Sequence, residues 1–467
     1  MPAQIHYFTL QDETPRKEKL DWFRNNKLSD LEMERIHPDE KGNWLNITDN
    51  DFEDLLPLAS KEVKGNKAGV GFDKAVFKLF STGVSTNRDE WVFDFSRDLL
   101  LKKMTFFIET YNKLRPKFDA QTGKILDDEL DYSIKWSDVL KSHFGKGRKF
   151  ELQEKYLKKF KYRPFTKKNY YSEKGFSDRL TSNHFEIFGS NLDNKNSVIC
   201  FCGEGSSKPF CHLATHELFS LDFLEKTQCL PLYRYDETGN RIENITDWGL
   251  EQFLNHYKAT ANPPKGFEPL GGLMMGGLIM GGLIAINKET IFHYVYAVLH
   301  NPAYRKKYEQ NLKRDFPRIP FYDDFGQWAV WGKALMELHI NYDAPLPPEG
   351  EFLLKRIDKT PPLGVGGLLR VKLKADKEAG TIEIDEQTTL TGVPTEAWAY
   401  KLGNRSALEW ILDQYKESKP TDPTILEKFN HYRFADYKEE VIVLLQKVCT
   451  VSVETMKIIR AMETLAK

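Results

Sequence analysis

Apolar residues recur at a period near 3.6 in three parts of the chain, which predicts amphipathic helices. The first is RDLLLKKMTFFIETYNKL (97–114). The second runs from 289 to 342 through IFHYVYAVL and GQWAVWGKALMELHINY, and the third fills the last forty residues. Shorter apolar runs predict strands at QIHYFTL (4–10), WVFDF (91–95) and NSVICFC (196–202). From 351 to 400 the pattern turns to strands, with a hairpin over RVKLKADKEAGTIEID (370–385). Ser406 followed by Glu409 is a capping box that opens a further helix. The elements together predict an α+β fold. Its parts are a connector (1–62), an α/β part (63–260), a glycine-rich insertion (261–288) and a helical and β-hairpin part (289–467).

At 467 residues, 40% of them hydrophobic and 29% charged, the chain can bury a sizeable core. The net charge of −1 excludes a global field that would attract nucleic acid, so any such contact needs a local basic patch. Five scattered cysteines imply reduced thiols in a cytoplasmic protein. LGGLMMGGLIMGGLIAI (270–286) is uncharged, but its six glycines make it a poor membrane span, and a packed glycine-rich insertion is expected instead.

Asn301-Pro302-Ala303-Tyr304 differs in one residue from the Asn-Pro-Pro-Tyr signature of amino-group DNA methyltransferases. There the Asn grips an amino nitrogen and the ring stacks on a flipped base. The local sequence instead predicts a helix junction, with Asn301 as cap and Pro302 in the first helical position. Tyr304, Tyr308 and Leu312 then share one face, and Arg305, Lys306 and Lys307 the other. Upstream no glycine-rich cofactor loop follows a strand, and GEGSSKPF (203–210) lacks the spacing of a nucleotide-binding loop. Cys200, Cys202, Cys211, His212 and His216 lack paired metal-ligand spacing, so buried thiols account for them better than zinc does. PFYDD (320–324) is expected to form a turn closing the preceding helix rather than part of a nuclease centre.

Between Lys141 and Lys168 stand eleven Lys or Arg residues and only two acids, Glu151 and Glu154. Tyr156, Phe160, Tyr162 and Phe165 are interleaved with them. Such a stretch can neutralise phosphates, with Lys146, Arg148, Lys149, Arg163, Lys167 and Lys168 as candidates. The alternative is a solvated helix face, ELQEKYLKKFKY (151–162). In the polar loop STNRDEW (85–91), Thr86, Asn87 and Arg88 could bond phosphates or base edges, unless Arg88 is paired internally with Asp89. Ser206, Ser207 and Lys208 form a further candidate phosphate-contacting loop.

Six longer stretches carry a family resemblance: 83–104 (GVSTNRDEWVFDFSRDLLLKKM), 134–141 (IKWSDVLK), 161–171 (KYRPFTKKNYY), 291–321, 406–415 (SALEWILDQY) and 434–459. Together they resemble the C-terminal specificity region of type ISP restriction-modification enzymes, over nearly the whole chain. IHYFTLQDETPRKEKLDWF (5–23) resembles the segment where the methyltransferase region of such enzymes ends. The Gly-Gly-Leu repeats depart from the family pattern. The resemblance implies a module that reads double-stranded DNA and directs adenine-N6 methylation and cleavage. The methyltransferase and nuclease/helicase regions would act in cis or in trans, and the S-adenosylmethionine, ATP and magnesium of the full enzyme would bind outside this chain. Two other classes compete with this reading, a diverged DNA adenine methyltransferase and an assembly subunit that never touches DNA.

Overall fold

The computed structural model describes residues 4–11, 14–38, 50–65, 74–118, 125–259, 285–344, 353–359 and 369–465. Nearly all of the Gly-Gly-Leu repeat lies outside them. The described residues form an α+β fold with small antiparallel sheets. One four-stranded sheet has the order Ser81–Thr82, Gln228–Pro231, Val198–Phe201, His212–Thr215. A three-stranded sheet places Thr166–Tyr171 between Phe93–Asp94 and Leu157–Arg163. A second four-stranded sheet contains the expected hairpin, Val371–Asp376 paired with Thr381–Asp385.

The helix Arg97–Lys113 shows how the pattern becomes structure. Ser96 caps it by accepting from the Leu99 N–H. Leu100, Lys103, Met104, Phe107, Ile108 and Tyr111 fall on its buried face. Lys103 is tolerated there because its ammonium pairs with Asp94 at 2.8 Å and donates to the Glu90 and Phe93 carbonyls at 2.6 and 2.8 Å. WVFDF is only partly a strand: Asp89–Val92 is a helical turn and Phe93–Asp94 alone is extended.

Two hydrophobic clusters form the core. One joins Trp91, Phe107, Phe160 and Tyr170 to Trp398, Ile411 and Leu445. The other packs Phe52, Phe77 and Leu230 against Tyr294, Tyr296, Trp328 and Leu335. Both clusters draw on residues before 260 and after 289. The helices Lys288–His300 and Phe325–Ile340 approach so closely that a Cβ on Gly332 would lie 1.7 Å from the His293 carbonyl oxygen. Asp324, expected within a turn that ends a helix, instead opens one, accepting from the Gln327 N–H. Among the described residues, no helix is long and apolar enough to cross a membrane.

Candidate nucleic-acid interface

The basic stretch folds differently from a helix face. Glu154–Tyr156 is a short 3-10 turn, and Leu157–Arg163 pairs with Thr166–Tyr171 in a hairpin. Helical spacing at Leu152, Tyr156 and Phe160 yields to cross-strand pairing, which buries Phe160 and Tyr170 against Phe93 with ring centroids 4.7–4.9 Å apart.

Four of the hairpin cations, Lys161, Arg163, Lys167 and Lys168, are committed to carboxylates or aromatic rings, whereas Lys159 is exposed. Lys161 is buried with its Nζ 4.2 Å from the centre of the Tyr342 ring and 3.8 Å from Glu217, and burial pushes its pKa down to about 7. Lys167 bridges Glu217 at 3.0 Å and Asp343 at 2.7 Å. Burial lowers its pKa, but those two carboxylates more than offset this and leave it raised. Lys168 lies over the Tyr162 ring at 4.0 Å and the Phe95 ring at 4.8 Å, and burial, then Arg163 and Lys103, lower its pKa to about 8. Arg163 stacks on Tyr162 at 4.1 Å, donates to the Tyr162 carbonyl and lies 3.9 Å from Asp222.

The turn before the hairpin behaves otherwise. Lys146, Arg148 and Lys149 follow the helix Asp138–Gly145 and are exposed. Lys149 donates to the Asn112 and Leu114 carbonyls at 2.6 and 3.2 Å. Arg148 stacks on Phe150 at 4.8 Å and pairs at 3.3 Å with the buried Glu173. His143 marks how these charges converge: burial, then Arg148, Lys146 and Lys174, lower its pKa. Lys174 is an exposed member of the patch outside the 141–168 window, brought in by the turn Lys174–Phe176. Its signal in the sequence is only a lysine before a glycine.

The 85–91 loop is built around an inward-pointing arginine. Arg88 is 3% exposed, and its guanidinium meets Ser137 Oγ, the Gly175 carbonyl at 3.5 Å and Asp178 at 3.8 Å. Burial pushes its pKa down to about 10. The pairing with Asp89 does not form; Asp89 accepts instead from Thr86 and from Tyr162 at 3.1 Å. Thr86 is likewise buried, at 1%. Asn87 alone of the three is exposed, in the left-handed region at φ 53°, with Nδ2 donating to Asp178 at 2.5 Å. The residues 173–178 thus touch both the Asn87 loop and the Arg148 patch.

Ser206, Ser207 and Lys208 lie elsewhere. Both hydroxyls donate to Glu225, at 2.6 and 2.9 Å, and Lys208 sits 4.9 Å from the Trp410 ring centre. Burial pushes the Glu225 carboxyl up, but the two hydroxyls outweigh it and hold it below its ordinary range. A carboxylate therefore occupies the acceptor position that a phosphate would need.

Asn301 is fully buried, accepting from the Ala303 N–H at 2.9 Å and donating to the Tyr322 hydroxyl at 3.0 Å. Its amide oxygen is engaged in capping and its amide nitrogen is engaged with Tyr322. Cys200, Cys202, Cys211 and His212 are buried, and among the described residues no group of three or more His, Cys, Asp or Glu is placed to hold a metal ion.

No curated protein matches the chain. Among solved structures, the cryo-EM structure of a DrdV–DNA complex superposes with TM-score 0.79 at 42% identity, covering 95% of this chain and 42% of that one. A nuclease-deletion mutant of the Type ISP restriction-modification enzyme LlaGI, in complex with a DNA substrate mimic, gives TM-score 0.70 at 25% identity over 98% of this chain and 39% of its own. The ATP-dependent Type ISP enzyme LlaBIII bound to DNA gives 0.66 at 26% identity, over 92% of this chain and 25% of its own. The chain therefore spans less than half the length of each. The model of the Type ISP C-terminal specificity domain matches residues 75–444, and the chain belongs to that family.

Proposed function

We propose that this chain reads a DNA sequence on behalf of catalytic regions that lie outside it, and that its phosphate-contacting surface is the exposed turn Lys146–Lys149 with Lys174. The observation that carries the reading is the combination of family membership over 75–444 with likeness to three structures described as DNA-bound. The cluster of cations around His143 supplies a surface of the right charge in a chain whose net charge is −1. The same reading places adenine-N6 methylation and cleavage, and the S-adenosylmethionine, ATP and magnesium they use, in the methyltransferase and nuclease/helicase regions of a larger enzyme. The buried amide of Asn301 supports that division, because both amide atoms of the chain's nearest approach to a base-gripping motif are hydrogen-bonded within the fold.

The test is duplex binding across a salt series. Lys146→Ala, Lys149→Ala and Lys174→Ala are combined, and Arg148 is kept because it neutralises buried Glu173. The salt slope of log affinity should fall by about one unit for each phosphate-neutralising lysine removed, equally for all sequences. Lys167→Ala, which removes an internally paired charge, should leave the slope unchanged. An unaltered slope in the triple variant would refute this surface.

A further inference from the structure

The reduced thiols implied by cysteine usage include one pair with unusual geometry. Strands Val198–Phe201 and His212–Thr215 pair from Val198↔Thr215 to Phe201↔His212, and the ladder runs one step further. There the Cys202 N–H donates to the Cys211 carbonyl at 2.9 Å. Cys202 and Cys211 are thus directly opposite across an antiparallel ladder. Such residues have Cα atoms about 5.5 Å apart when hydrogen-bonded, within the ~4.4–6.8 Å that a disulfide spans. Their Sγ atoms lie 2.8 Å apart, closer than two sulfurs in ordinary van der Waals contact.

We propose that Cys202 and Cys211 are a disulfide-forming pair, a modification site that closes the loop 203–210 when a peroxide-class oxidant is present. The other three cysteines do not share this geometry with a neighbour on the ladder end. Cys200 and Cys229, although opposite each other on adjacent strands, are fully buried within the sheet. Cys449 is fully buried in the C-terminal helix. Cys211, 2% exposed, lines a cavity of about 240 Å³ with Pro209, His212, His300, Arg305 and Tyr400. That volume is large enough to hold a molecule the size of hydrogen peroxide beside the pair.

In the first step the Cys202 sulfur attacks the peroxide. An S–O bond forms, the O–O bond breaks, and hydroxide leaves with the thiol proton as water. The Cys211 sulfur, 2.8 Å away, then attacks Cys202. The S–S bond forms, the S–O bond breaks, and the second oxygen leaves as water with the Cys211 proton. Two thiols and one peroxide become one disulfide and two waters. Arg305 and Lys208 favour the anionic form of Cys211 electrostatically, against the stronger opposing effects of the neighbouring Cys202 sulfur and burial. Cys202 shares a hydrogen bond with the Cys211 sulfur, which holds its pKa below the ordinary thiol value and favours it as the attacking thiolate.

The experiment treats the full chain with hydrogen peroxide, quenches it with an alkylating agent and counts thiols in denaturant. The count should fall from five to three, with non-reducing peptide mapping locating the cross-link at Cys202–Cys211. Dithiothreitol should restore five. The oxidised protein should melt at a higher temperature than the reduced one, and Cys202→Ala should abolish both the cross-link and the shift. Five thiols retained at peroxide excess, a cross-link involving Cys200, Cys229 or Cys449, or sulfinic acid in place of a disulfide would overturn the proposal. Because the thiol count is read on the unmutated chain without DNA, it is independent of whether the chain reads DNA.

Discussion

The two halves of the basic stretch look alike in sequence and have opposite fates. Lys146, Arg148 and Lys149 stay in solvent, and Lys146 and Arg148 gather with Lys174 around His143. Lys161, Arg163, Lys167 and Lys168, a dozen residues on, are tied into the interior by Glu217, Asp222, Asp343 and aromatic rings. Lysine density alone does not make an electrostatic footprint; what matters is whether acids from elsewhere in the chain reach it. A cation held by a carboxylate has already released its counterion and gains little from meeting a phosphate. The comparison also assigns roles: Lys146, Lys149 and Lys174 are left in solvent where a polyanion can reach them, Arg148 is held by Glu173, and the paired cations fix the hairpin.

The strongest way to sharpen this division is at Arg88, a buried cation in a loop whose tip is exposed. Arg88→Ala removes the partner of Ser137 and the Gly175 carbonyl and leaves Asp178 with only Ser137 and Asn87. Breaking such a buried arrangement costs about 3 kcal/mol. The expected outcome in a urea melt is a loss of that order, with binding to cognate and random DNA falling together as the fold weakens. A variant of unchanged stability that had lost only cognate binding would return Arg88 to base reading.

An effect smaller per pH unit is expected from Lys161, whose pKa is about 7 in the fold against 10.5 as its ordinary value. Between those values the unfolded chain binds a proton that the folded chain does not, so stability rises with pH across that window. It is lost again as pH falls toward 7, by up to ~1.4 kcal/mol per pH unit. Lys161→Met should flatten the rise of melting temperature between pH 7 and 9.5. The slope should not vanish, because Lys168, lowered to about 8, contributes over the upper part of the same window. An identical slope in the variant would mean that Lys161 stays charged inside.

Much of the fold was legible because its signals are local. The face of Arg97–Lys113, the Ser406–Glu409 capping box, the Asn301-Pro302 junction and the 371–385 hairpin each rest on residues within one or two turns of each other. The site was less legible because its determinants are not. Glu217 and Asp343 stand 50 and more than 170 residues from Lys167, so no window around the basic stretch contains them. Strand pairing with Thr166–Tyr171 likewise overrode the helical spacing of 151–162, since buried aromatic pairs across the hairpin outweigh local periodicity. Arg88 was misplaced for a related reason. A polar loop sequence does not reveal that the turn at 173–178 closes over it.

The smallest expected effect lies at Asn87, where the exposed and buried groups meet. Its side chain is in solvent, but its amide donates to Asp178, the same carboxylate that faces Arg88. Its φ of 53° is a conformation that asparagine and glycine adopt more readily than alanine, which costs about 1–2 kcal/mol there. Asn87→Ala should therefore be less stable than Asn87→Gly, and the glycine variant should melt close to the parent. That makes Asn87→Gly the cleaner probe of readout, since it deletes the amide while keeping the loop. To bind adenine through both amide atoms, Asn87 must give up Asp178, so its net contribution to discrimination should fall at or below the low end of the roughly 1–3 kcal/mol of a bidentate pair. The measurement is the ratio of affinities for a site selected from random duplexes and for bulk random duplex. A narrowed ratio with unchanged non-specific affinity assigns base reading to the loop tip. Equal weakening on both would show that the loop, like the hairpin cations, serves the fold.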